Sequence, residues 1–135
     1  MISSIRLHVP GQGLHAFTEK VVREVNKSGV KEGLCTLFVQ HTSASLLIQE
    51  NYDPSAQYDL ENWLNRLVPE RDPLYTHTLE GDDDMPAHIK STLTATSIGI
   101  PITQGSLALG TWQGIYLWEH RRGANTRNVV LHIGG

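Results

Sequence analysis

Residues 80–90 of this sequence combine four acidic side chains, a histidine and a lysine in one short stretch. Carboxylates are the ligands that Mg²⁺ prefers, so Asp82 and Asp84 are candidates to bind this ion or the substrate that carries it. Pro86 predicts the start of a helix, whose first N–H groups can receive an anion. A cation site, an anion site and the imidazole of His88 are therefore predicted close together. The alternative is a solvated acidic loop with an ordinary helix cap.

Three histidines from separate segments, His41, His77 and His88, can together form an open metal site. Their spacing matches no short metal-binding motif, so the shared site is a hypothesis about the fold. We predict that they bind a divalent ion, with Zn²⁺ at the histidines or Mg²⁺ for pyrophosphate chemistry. We also predict that His41 and His88 are catalytic. The alternative for His41 is a structural histidine between two strands.

Five further residues are predicted to bind an organic, phosphorylated substrate: Asn51, Lys90, Thr111, Trp112 and Gln113. The lysine can neutralise a phosphate, and the tryptophan can stack on a heterocycle. Gln113 offers both a donor and an acceptor to a ring edge. The alternatives are a surface lysine, a turn-capping Asn51, and a tryptophan in the core or at a subunit interface.

Glu119 follows the apolar run 115–118, and a carboxylate that faces inward from such a strand needs a cationic or histidine partner. We predict a catalytic role for it, with an exposed, outward-facing glutamate as the alternative. Arg121, Arg122 and Arg127 form the only basic cluster, which suits a phosphate better than a nucleic-acid duplex.

The composition indicates one globular domain, residues 1–135. The chain is 39% apolar and 19% charged, and its formal charge of −3 argues against a nucleic-acid binder with a broad basic surface. The N-terminus has no signal-peptide pattern and no run approaches membrane-spanning length, so the cytoplasm is the expected location. Cys35, the single cysteine, lies in an apolar run and is predicted to be buried.

The hydrophobic periodicity predicts an α+β fold. Strands are predicted at 5–9, 14–17, 34–40 and 44–49, with the first two forming a hairpin. Helices are predicted at 19–28, ending at Gly29, at 54–67, capped by Asp53, and at 86–93, capped by Asp84. Four more strands, 97–103, 107–111, 115–120 and 128–133, are predicted to form an antiparallel meander. The predicted architecture is a single-domain sandwich of mostly antiparallel β-sheet with two to three helices on one side.

Three sequence blocks resemble the YjbQ-type secondary thiamine-phosphate synthase family. They are His41-Thr42-Ser43-Ala44 with Gln49-Glu50-Asn51, then Gly81 to Lys90, then Ser97 to Ile102 with Gly105, Leu107 and Leu109 to Gly114. The resemblance covers nearly the whole chain and is weakest over the first 15 residues. It supports His41 and His88 as pocket residues and matches Glu119 to the family's acidic position, whereas His120 is at a position that varies.

The resemblance implies a homotrimer with sites near subunit boundaries and a secondary ability to join a hydroxymethylpyrimidine pyrophosphate to a thiazole phosphate. Loss of pyrophosphate leaves a carbocation that the thiazole nitrogen attacks, so the protein must stabilise the leaving group and hold both rings in a dry pocket. Two alternatives stay open: a metal-dependent phosphoester hydrolase, and a non-catalytic trimer that binds a small phosphorylated metabolite. No nucleic-acid or membrane partner is expected.

Overall fold

The computed structural model of the chain describes residues 1–135 and contains eight strands and three helices. The strands are β1 (Ile2–Val9), β2 (Gly13–Ala16), β3 (Gly33–Val39), β4 (Ala44–Glu50), β5 (Ser97–Thr103), β6 (Ser106–Leu107), β7 (Gln113–Glu119) and β8 (Asn125–Gly134). The helices are α1 (Thr18–Ser28), α2 (Pro54–Leu67) and α3 (Asp84–Leu93). None of these helices has the length and apolar character needed to cross a membrane.

The strands form two antiparallel sheets. The larger sheet has the order β1-β8-β3-β5-β6 and the smaller one the order β2-β7-β4. Every strand pair in both sheets is antiparallel. The predicted α+β class, with mostly antiparallel sheet and two to three helices, is confirmed.

Alternating apolar residues from both sheets form the main core. In β3, for example, Cys35, Leu37 and Val39 are buried and alternate with more accessible neighbours. Such alternation places one face of each strand in the core, where burial of apolar surface stabilises the fold. Eighteen buried residues form this single cluster, which includes members of both sheets and of α1. Burial also raises the pKa of the Cys35 thiol to about 11, as expected for the buried cysteine that the sequence predicts.

The local signals for α1 and α2 are confirmed. Gly29 ends α1 in the left-handed conformation, with φ of 70°. The carboxylate of Asp53 accepts a hydrogen bond from the backbone N–H of Ser55, and Pro54 is the first residue of α2. This helix packs against the smaller sheet, where Leu64 and Trp118 are buried in a second apolar cluster.

Helix α3 begins two residues earlier than predicted, at Asp84, so Pro86 is its third residue. Proline is tolerated there because a first-turn N–H has no intrahelical acceptor. Asp84 is therefore not the cap. Its carboxylate is free to make the side-chain contacts described below.

The predicted strand partners are wrong in two places. The strands β1 and β2 do not form a hairpin, because β1 pairs with β8 and β2 pairs with β7 in the other sheet. The four C-terminal strands do not form a meander either, since β7 lies in the smaller sheet while β5, β6 and β8 lie in the larger one. A period-two pattern identifies a strand and its buried face but not the strand beside it.

Candidate metal centre and its ion pairs

One group of side chains has the composition of a metal site. Ligand atoms of His77, Asp84 and His88 all lie within 4.8 Å of one another. The Nε2 atoms of His77 and His88 are 2.7 and 3.1 Å from Oδ2 of Asp84. The aspartate side chain is only 3% exposed, whereas the two histidines are 44% and 32% exposed. The group therefore has a buried carboxylate and a side open to solvent.

Helix α3 and two loops position this group. Asp84 and His88 are one turn apart on the helix, so their side chains are neighbours. His77 comes from the loop that precedes the helix. Nδ1 of His88 lies 3.0 Å from the carbonyl oxygen of Thr42, in the loop between β3 and β4. These contacts fix the direction of the His88 ring.

The contact with Thr42 also determines which ring nitrogen of His88 is a donor. A carbonyl oxygen only accepts, so Nδ1 carries the proton that it donates to Thr42. In the neutral ring, the lone pair of Nε2 then faces the carboxylate oxygen of Asp84. Two facing acceptors repel each other unless a proton or a cation lies between them. An imidazole whose second nitrogen donates to a backbone carbonyl is the usual arrangement of a metal-binding histidine.

Arg121 keeps the neighbouring carboxylates ionised. Its guanidinium donates from Nη1 to Asp84 at 2.7 Å and from Nε to Asp83 at 3.0 Å. Burial alone would raise the pKa of Asp84. The hydrogen bond from His77, the adjacent imidazole of His88 and the charge of Arg121 outweigh it and hold this pKa below its usual value. Asp84 is therefore a carboxylate at neutral pH, as a metal ligand must be.

Glu119 and Arg127 form a buried ion pair beside this group. The arginine donates from Nε to Oε1 of Glu119 at 2.6 Å, and from Nη2 to its Oε2. Glu119 also accepts the backbone N–H of Arg121, and its side chain has no exposed surface. The glutamate thus faces inward with a cationic partner. This geometry supports a structural role, because its carboxylate oxygens are bonded to Arg127 and to the backbone of Arg121. No surface of the side chain is left to contact a substrate.

His41 does not converge with the other two histidines. Its Nε2 accepts the backbone N–H of Asn128 at 2.9 Å, and its Nδ1 lies 3.3 Å from Nη1 of Arg127. The predicted convergence of three histidines is therefore wrong, and the third side chain close to His77 and His88 is that of Asp84. Burial and the charge of Arg127 lower the pKa of His41, although Glu119 acts in the opposite direction.

The predicted ring-binding residues lie at the other end of β7. The backbone N–H of Asn51 donates to the carbonyl of Trp112, and the Gln113 side chain accepts from the N–H of Gly110. Trp112 is 57% exposed and packs edge-on against Tyr52. Exposed Thr111 adjoins them. A seven-residue strand spans about 20 Å, so within one chain this group is separate from His77, Asp84 and His88, which lie near the end of β7.

Asp82 and Lys90 are also outside the group. Asp82 is exposed, and its nearest cation is the exposed Arg71 at 3.8 Å. Lys90 is buried, and its ammonium donates to Oδ1 of Asn65 at 2.5 Å. Two residues after His88, it projects from a different face of α3. Among the residues predicted to bind a metal ion or to act in catalysis, His77 and His88 come together, and Asp84 lies between them.

Sequence reasoning did not give His120 a role, yet the structure buries it almost completely. Its Nε2 lies 2.9 Å from Oγ of Ser45, and Nδ1 has no hydrogen-bond partner. Burial, together with the charges of Lys90 and Arg127, lowers the pKa of His120 from 6.5 to about 3. The sequence did offer one signal for His120: it directly follows an apolar strand, and a polar side chain that is buried needs a hydrogen-bond partner.

We expect His120 to make the protein acid-sensitive. Because its pKa is depressed on folding, the unfolded chain binds more protons below pH 6.5, and stability is lost as pH falls from 6.5 towards 3. The free energy of unfolding should fall by about 2 kcal/mol between pH 7 and about pH 5. Urea denaturation at both values measures it. A His120→Gln variant should lose much less over this range, whereas a variant of the exposed His132 should behave as the unmodified protein; equal slopes in all three would contradict the assignment.

Comparison with known proteins identifies relatives over the full fold. The family model described as UPF0047 protein YjbQ-like matches residues 3–135. The UPF0047 protein sll1880 of Synechocystis is 56% identical over 93% of this chain and 85% of its own length. UPF0047 protein YjbQ of Escherichia coli O157:H7 is 39% identical, over 98% of this chain and 96% of its own length.

Solved structures agree with this relationship. A YjbQ/UPF0047-family protein from Clostridium acetobutylicum has a TM-score of 0.90 and 35% identity, covering 98% of this chain and 99% of its own. The hypothetical protein APE1520 of Aeropyrum pernix also has a TM-score of 0.90, at 25% identity. The match covers 100% of this chain and 98% of that protein. By sequence and by fold, this chain belongs to the YjbQ-like UPF0047 family.

Proposed function

We propose that this protein is a metal-dependent enzyme that acts on a small phosphorylated substrate. The ion would be held by His77, Asp84 and His88. The observation that carries the proposal is the contact of 3.1 Å between Nε2 of His88 and the Asp84 carboxylate. The proton of the neutral ring is on Nδ1, which donates a hydrogen bond to the carbonyl of Thr42, so Nε2 has a free lone pair. Two nitrogen ligands and one carboxylate favour Zn²⁺ over Mg²⁺, which prefers oxygen ligands.

The residues of the site suit this chemistry. When bound, a divalent ion supplies positive charge to phosphate oxygens and activates water. The accessible surface of His77 and His88 leaves an approach for a substrate from solvent. On the buried side, Arg121 keeps Asp84 ionised and Thr42 fixes the ring of His88. These contacts organise the ligands before a substrate arrives, which lowers the free-energy cost of binding it.

The first reaction that we propose is the joining of a hydroxymethylpyrimidine pyrophosphate to a thiazole phosphate. The positive charge of the site would stabilise the leaving pyrophosphate, while Trp112, Gln113 and Asn51 would contact the rings. Because these residues lie at the far end of β7 in the same chain, the reaction needs them from a second subunit. The homotrimer that the family resemblance implies would supply such a neighbour.

The second candidate is phosphoester hydrolysis. It is favoured by a ligand set of two histidines and one carboxylate with an open side, and it needs no ring-binding residue from another chain. The third candidate, a trimer that binds a phosphorylated metabolite without converting it, would use the same ion for affinity alone.

The test is one set of paired assays on the purified protein, supplied with Zn²⁺ or Mg²⁺. One assay follows thiamine phosphate formed from the two phosphorylated precursors, and the other follows phosphate released from small phosphoesters. We expect the synthase activity to fall at least about 100-fold in a His77→Ala/His88→Ala variant and to persist in a His132→Ala control. Phosphate release that is lost in the same variant would identify the hydrolase instead. If the metal-loaded protein showed neither activity, this result would contradict both kinds of enzyme.

A further inference from the structure

A separate cavity of about 150 Å³ lies between α2, α3 and the end of β7. Its floor consists of Lys90, Trp118 and His120, all of which are buried. Its rim is polar and more accessible, and it includes Glu61 and Asn65. The proposed metal site uses none of these residues.

Lys90 brings unused hydrogen-bond donors to this floor. An ammonium group has three N–H donors, and that of Lys90 makes one hydrogen bond, to Asn65. No salt bridge of the chain involves it. The acidic residues whose charges reach it, Glu70 and Asp83, are paired with Arg122 and Arg121. A buried cation in this state is costly unless an anion joins it.

His120 brings a second unused donor. The hydroxyl of Ser45 is buried and has the Nε2 atom of His120 as its only hydrogen-bond partner. The hydroxyl hydrogen is satisfied only if Ser45 donates to Nε2, and this assigns the ring proton to Nδ1. That nitrogen is buried without a partner. The residues lining the cavity thus include a lysine whose ammonium has two unused N–H donors and a histidine whose Nδ1–H group has no acceptor.

We propose that this cavity binds the carboxylate of a small α-amino acid, with Lys90 as its counterion and the Nδ1–H group of His120 as a second donor. One ammonium balances one carboxylate, whereas a phosphate dianion would be left with excess negative charge. Glu61 lies at the rim, where its Oε2 is fixed by the backbone N–H of Leu14. Its negative charge repels a second anionic group and attracts the ammonium end of an amino acid. The volume equals that of about five water molecules, which suits a molecule the size of glycine or alanine.

The test is a titration of ¹⁵N-labelled protein with glycine, followed by the ring-nitrogen resonances of His120. We expect saturable shifts of these resonances, and a Lys90→Met variant that binds glycine at least about tenfold more weakly. A Lys20→Met variant, altered at an exposed lysine, is the matched control and should bind as the unmodified protein does. Glu61→Gln should weaken glycine binding but should not weaken acetate binding, because acetate has no ammonium group for Glu61 to attract.

The proposal is overturned if the His120 resonances of the unmodified protein do not respond to glycine or alanine up to about 100 mM. It is equally overturned if inorganic phosphate binds more tightly than glycine, or if folded Lys90→Met protein binds glycine normally. If Lys90→Met does not fold, the Glu61→Gln comparison and the titration of the unmodified protein still decide the outcome. Variants of His77 and His88 should leave this binding unchanged, so its result is separate from that of the proposed enzyme activity.

Discussion

Replacing Glu119 with glutamine should lower the free energy of unfolding by about 3–5 kcal/mol, because it leaves the charge of Arg127 buried and unpaired. Glu119 has no exposed surface and the Arg127 side chain is 6% exposed, so water cannot replace the lost partner. Glutamine has nearly the same shape, so the loss reports the charge and not a cavity. Urea denaturation at neutral pH measures it.

A matched control exists in the pair formed by Glu70 and Arg122, 3.3 Å apart, in which the arginine is 59% exposed. Glu70→Gln should cost less than about 1 kcal/mol, since solvent screens such a pair. A double variant with leucine at both 119 and 127 should recover part of the stability that Glu119→Gln loses. Equal small losses for Glu119→Gln and Glu70→Gln would show that the buried pair does not hold this end of the sandwich together.

Replacing Asp84 with asparagine should weaken Zn²⁺ binding by at least about 100-fold. The neutral amide cannot supply the negative charge that the ion requires. Its NH₂ group can instead donate to the Nε2 lone pair of His88, which satisfies the site without metal. Calorimetric titration of the metal-free protein with Zn²⁺ measures the change.

Asp82→Asn is the control for this experiment, because Asp82 is in the same acidic stretch but is exposed and outside the ligand group. Its affinity for Zn²⁺ should equal that of the unmodified protein. If the two variants lost affinity equally, the ion would be bound by the general negative charge of the loop and not by the three assigned ligands.

Local sequence signals predicted the helices well. They predicted where the strands lie but not which strands pair, because the partners are far apart in sequence. The signals that start α2, Asp53 and Pro54, and the one that ends α1, Gly29, depend only on residues nearby in sequence. The partner of β1 is β8, at the opposite end of the chain. Its selection depends on how the two sheets close around their common core, which the alternation within β1 does not encode.

The same distinction explains the site. The closeness of Asp84 and His88 was predicted because both lie in the stretch 80–90, although Asp84 was expected to cap the helix and is instead its first residue. The exclusion of His41 depends on the backbone of Asn128 and the guanidinium of Arg127, both far along the chain. Arg121 was expected to contact phosphate, but it is engaged by Asp83 and Asp84, which lie 38 and 37 residues away in sequence. Ion pairs of this kind are visible only after folding.

Anomalous diffraction at the zinc absorption edge tests most directly whether His77, Asp84 and His88 hold a divalent ion. Crystals of protein loaded with Zn²⁺ should show one strong peak per chain, about 2.0–2.2 Å from Nε2 of both histidines and from Oδ2 of Asp84. If crystals of the unmodified protein show this peak and Asp84→Asn crystals do not, the ligand set is established. Metal-loaded crystals without a peak there, or with the ion bound at His41, would contradict it.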